Sequence, residues 1–175
     1  MGAYANYCAV PPEVLGEYLD DFEGLAGFCD APGVPLRAFT LNTAWVVVWC
    51  TLEPEAFSAV QPPERWPSSP AGILGAAVVG ARSLNAEHSR ERGEEPNGVY
   101  HHTRTLTVEE VRAAAAALDT VTGLDVARAY DSGVVARAAG RNVPSAETTF
   151  GHVMDLRDYY RRAAAEGMVV TVLIG

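Results

Sequence analysis

The last thirty residues constrain the fold most. From Glu147 to Glu166, Val153, Leu156, Tyr160 and Ala163 or Ala164 recur at helical spacing. Gly167 follows, and after it "MVVTVLI" runs apolar and rich in β-branched residues from Met168 to Ile174. A long one-sided helix, a single glycine able to stop it and a buried strand leave no length for a detour. The helix must fold back against the sheet to which that strand belongs.

The remaining periodicities fill in that sheet and its cover. Tyr4 to Val10 reads as a first strand. Behind Pro11 and Pro12, the residues Val14, Leu15, Tyr18, Leu19 and Phe22 fall at helical spacing. "LNTAWVVVWCTL" has the β-branched content of a strand. Its residues Leu41, Ala44, Trp45, Val48, Trp49 and Leu52 nevertheless form one helical stripe, with Asn42 placed to cap, and helix is the reading adopted. Proline and serine mark 53–72 as a surface loop, and "ILGAAVVGA" (73–81) reads as a short buried strand or turn-strand unit. The polar run 85–98 reads as an exposed loop, and Val99 to Thr105 as a strand. Thr107 and Glu110 form a capping box for a helix whose apolar face is Val111, Ala114, Ala115, Leu118 and Val121, with Gly123 as its stop. Short helices follow over 124–130 and 133–139. The pattern predicts one α+β domain over residues 1–175, a small mixed sheet packed against several helices.

Charge narrows the function. The net charge is −9 and all thirteen basic residues are arginine. A chain of that sign repels phosphate backbones, which argues against nucleic acid and favours a basic protein partner, while the tryptophan helix or the final strand offers a surface for self-association across a two-fold axis. No apolar run reaches the roughly 20 residues of a membrane helix. The first ten residues lack the basic and apolar regions of a signal peptide. Cys8, Cys29 and Cys50 are widely spaced, without a C-x-x-C pair, and are expected as buried free thiols in a reducing cytoplasm.

The candidate chemistry lies in "GVYHHTRTLTVEEV", Gly98 to Val111. Arg104 precedes a helix start, where a guanidinium can fork onto an anionic ligand or pair with Glu109 or Glu110. His101 and His102 are adjacent, so on a strand they face opposite ways and do not share one metal. Tyr159 sits at the rim of the last helix's apolar stripe, able to offer its hydroxyl to a ligand. The neighbouring Asp155, Arg157, Asp158, Arg161 and Arg162 read as a solvated, paired face. Trp45 and Trp49, four apart, read as core. The sequence has no G-x-S-x-G, phosphate loop, dinucleotide fingerprint or H-E-x-x-H, and neither a cofactor nor a metal is expected.

Four segments in order, "MGAYANYCAVPPEVLGEYL", "LNTAW", "TRTLTVEEV" and "LRDYYRRAAAEGMVVTVLI", together resemble the YfbM-like family of bacterial proteins, a domain of unknown function. The resemblance spans most of the chain and implies an α+β bacterial domain of the cytoplasm with no established activity. Val46 and Trp49 stand where that family often carries histidines, and Asn42 where it tends to have an acid. A polar site built on that helix in the family would be impaired here. Two functions stay open. One is a non-enzymatic binding or protein-interaction domain, regulatory or immunity-like. The other is a small enzyme or anionic-ligand binder using Arg104, His101 or His102 and a carboxylate.

Overall fold

A computed structural model of the chain describes residues 4–17, 25, 27–29, 39–42, 44–59, 70–84, 103–140 and 143–174. Its strands are β1 (Ala5–Val10), β2 (Phe39–Leu41), β3 (Arg82–Ser83), β4 (Thr103–Leu106) and β5 (Val169–Ile174). They form one sheet in the order β2-β1-β5-β4-β3. Every pairing is antiparallel, with Ala5 opposite Ile174, Val10 opposite Val169 and Leu106 opposite Val170. The sheet is therefore not mixed: β5 runs against both of its neighbours, and no crossover joins parallel strands. The α+β class stands.

The helices whose bounds are described are α1 (Pro12–Glu17), α2 (Ala44–Leu52), α3 (Pro54–Ala59), α4 (Ile73–Val79), α5 (Val108–Leu118), α6 (Gly123–Asp131), α7 (Val134–Ala139) and α8 (Ala146–Ala165). Side chains alternate along the strands. Ala5, Tyr7, Ala9, Leu106, Val170, Val172 and Ile174 join the main core with α2, α4, α5 and α8. On the opposite face Cys8, Val10 and Leu25 anchor a second, smaller apolar cluster. There Thr105 and Thr171 stay buried because each hydroxyl donates to a strand carbonyl, Val170 O at 3.3 Å and Cys8 O at 3.4 Å.

α2 is the hub. Every residue from Ala44 to Thr51 is buried, so the helix is apolar all round and carries no polar face to identify it. Trp45 and Trp49 stack at 6.3 Å, and Phe57 meets Trp49 edge-on at 5.0 Å. Leu41, expected in the α2 stripe, belongs to β2 instead, because the edge of β1 claims 39–41.

Three further expectations are corrected. Pro54 to Ala59 is helical, since Pro54 takes the first helical position, where its missing N–H costs nothing. Ile73 to Val79 is a buried helix instead of a strand. Gly123 opens α6 behind a Thr122–Asp125 capping box, and α5 ends earlier, at Leu118. The cysteines are corrected as well. Cys8 and Cys29 are disulfide-bonded across 21 residues, their Cα atoms 5.8 Å apart, which ties the segment after α1 to the outer sheet face. Only Cys50 is a free thiol, and burial pushes its pKa up to about 12.

Candidate functional site

Arg104 is placed by β4, opposite Val172, on the face that carries Tyr7 and Leu106. Its Nε donates to Gly80 O at 3.1 Å and its Nη2 to Ala81 O at 3.0 Å. These carbonyls follow the end of α4, and Tyr7 donates its hydroxyl to Val78 O at 2.7 Å beside them. The guanidinium thus closes the negative end of a helix. Among the described residues it faces no carboxylate. Glu110, one expected partner, pairs with Arg82 and completes the Thr107 capping box. Burial lowers the Arg104 pKa. Gly80, at φ 78°, is needed here twice: its backbone is left-handed, and a Cβ would overlap that of Arg104.

The other end of α4 is held by a residue that sequence reasoning passed over. Glu53 accepts from the backbone N–H of Ala71 and Gly72 and from Trp49 Nε1 at 3.0 Å. A carboxylate at the positive end of a helix is favourable. Gly75 makes room for it, because a Cβ there would overlap the Glu53 carboxylate. The available signal was an acid four residues after a tryptophan at the end of an apolar helix.

His101 and His102 lie outside the described residues. Tyr159 is fully buried instead of sitting at a rim. Its ring stacks on Phe39 at 5.7 Å and meets Tyr7 and Tyr160 edge-on at 6.1 and 5.9 Å. Burial raises its pKa, a rise that Arg162 tempers. Over this cluster, between β2 and α8, opens a cleft of about 700 Å³ lined by Phe39, Asp155, Asp158, Arg161 and Arg162. Asp155, Asp158 and Arg162 share one helical face by their spacing of three and four. Arg157 holds Asp158 at 2.9 Å, and Arg161 holds Asp119, the cap residue of α5, at 2.7 Å. Among the described residues Asp155 forms no ion pair. The cleft therefore offers an aromatic patch, an unpaired acid and partly neutralised arginines. Such a lining can hold a chain segment of mixed charge. The described residues contain no group of three His, Cys, Asp or Glu side chains able to hold a metal ion. No helix among them is long and apolar enough to cross a membrane.

An antiparallel five-stranded sheet, its main core face covered by helices and its other face by a smaller cluster that includes α1, with a charged cleft at its β2 edge, defines an α+β domain whose polar side chains largely close helix ends. The chain belongs to the family described as domain of unknown function DUF1877, whose model matches residues 1–173. Among solved structures it is similar to YfbM from Escherichia coli, itself a protein of unknown function, with TM-score 0.63, 16% identity and full coverage of both chains. At that identity the likeness shows the fold. No curated protein matches the chain.

Proposed function

We propose that this chain is a non-enzymatic protein-interaction domain, regulatory or immunity-like, that seats a partner segment in the cleft between β2 and α8. The observation that carries the reading is the unpaired Asp155 beside Phe39 in an open cleft with charged walls. The buried Arg104, by contrast, is committed to backbone carbonyls. The net charge of −9 steers basic partners toward the molecule, and the local charge pattern sets the register of docking. The bacterial cytoplasm is the setting we propose.

The test is affinity capture from lysate of the native cells with the wild type and with Asp155→Arg, a substitution at an exposed position. The expected result is a basic protein retained by the wild type at low salt, and lost both in the variant and at high salt. Identical retention by the two proteins overturns the reading.

A further inference from the structure

A second cleft, of about 350 Å³, shares no lining residue with the first. It opens where the end of α2 and the start of α4 meet the turn into α6. Leu52, Leu74, Val121 and Val126 form its apolar walls, and Asp125 is the charged residue of the lining. Asp125 Oδ2 is engaged by Thr122, through the backbone N–H at 2.9 Å and the hydroxyl at 2.6 Å. Among the described residues its Oδ1 has only Arg128, at 3.7 Å. One carboxylate oxygen therefore retains acceptor capacity at the cleft.

Thr51 also lines this cleft and is only 6% exposed. Its hydroxyl is buried and has no hydrogen-bond partner among the described residues. A helical threonine commonly donates to the carbonyl four residues back. Here that carbonyl, Val47 O, accepts from Cys50 Sγ at 3.3 Å. Valine has the same shape without the unpaired group, and this helix already uses valine at 46, 47 and 48. A buried hydroxyl kept where valine would fit calls for an explanation. A χ1 turn of about 120° would carry the oxygen to the site the methyl now holds, and Thr51 is a lining residue of the cleft.

We propose that this cleft binds a small organic amine, with its apolar body between the leucine and valine walls, its ammonium against Asp125 and a hydrogen bond to the Thr51 hydroxyl. The volume falls in the range of about 300–1,000 Å³ common for small-molecule pockets. Among the described lining residues Asp125 is the charged one, and its sign favours a cation over an anion.

The experiment titrates hexylamine, hexanol and hexanoate into the protein and into Thr51→Val, following the methyl resonances of Val121, Val126 and Leu74. The expected result is a saturable shift with hexylamine that is weaker with hexanol and absent with hexanoate. Thr51→Val folds as the wild type does and binds hexylamine up to about tenfold more weakly, the worth of one hydrogen bond. No saturable shift, equal affinity for hexanol and hexylamine, or equal affinity of the two proteins for hexylamine each overturns the proposal. Because Asp155→Arg leaves this cleft untouched, its result is read separately.

Discussion

Three phenols meet in the core beneath Phe39, and they do not fare alike. Tyr7 spends its hydroxyl on Val78 O, whereas those of Tyr159 and Tyr160 are buried with no partner among the described residues. An unpaired buried hydroxyl costs about 1–3 kcal/mol, while its ring still contributes burial. Tyr160→Phe is accordingly expected to leave stability unchanged or raise it by about 1 kcal/mol, and Tyr7→Phe to lower it by a similar amount. Urea unfolding of both variants decides, and a marked loss in Tyr160→Phe would show that its hydroxyl is satisfied after all. The sequence placed Tyr160 on the buried stripe, but it put Tyr159 at the rim. Helical spacing sees only one helix, and the ring that covers Tyr159 is Phe39, from a strand 120 residues earlier in the chain.

Among the elements, α4 shows how a short helix survives without caps of its own. Its ends are closed by distant side chains, Glu53 at the start and Tyr7 and Arg104 at the finish. Arg104→Ala should cost about 2–4 kcal/mol, from two lost charged hydrogen bonds and a cavity. Gly80→Ala should cost at least about 2 kcal/mol, from backbone strain and from the clash with Arg104. Both are read from denaturant midpoints, and an unchanged midpoint in Arg104→Ala would free the guanidinium for a ligand role. This wiring also explains which elements could be read from the sequence. α5 was legible because its cap and stripe are local, Thr107 with Glu110, and α8 because its apolar stripe repeats over several turns, although its Ser145 cap went unread. α4 was not, because its closing groups lie up to 71 residues away, and seven apolar residues carry no period to separate helix from strand. The cleft was half legible: Asp155, Asp158 and Arg162 show as a charged face, but nothing in the sequence brings Phe39 to it.

At the scale of the whole molecule, buried acids of high pKa set the response to alkali. Burial raises the pKa of Tyr7, Tyr159, Tyr160 and Cys50 above their ordinary values of 10.0 and 9.0. Below those values both folded and unfolded states hold the proton, and the stability is fully present. Above them the unfolded chain releases protons that the fold retains, so stability falls by about 1.4 kcal/mol per pH unit for each such group. Urea midpoints are expected to drop steadily from about pH 9 upward, and phenolate absorbance from these rings to appear only with unfolding. Phenolate appearing in a chain that keeps its native circular dichroism would refute this. Topology adds a consequence in time. The strand that ends at Ile174 is the middle one of the sheet, flanked by β1 and β4. As the ribosome delivers the chain, β1 and β4 emerge with open edges and nothing to join them. The sheet closes only when β5 has left the exit tunnel, and until then β1 and β4 each keep one edge without its partner.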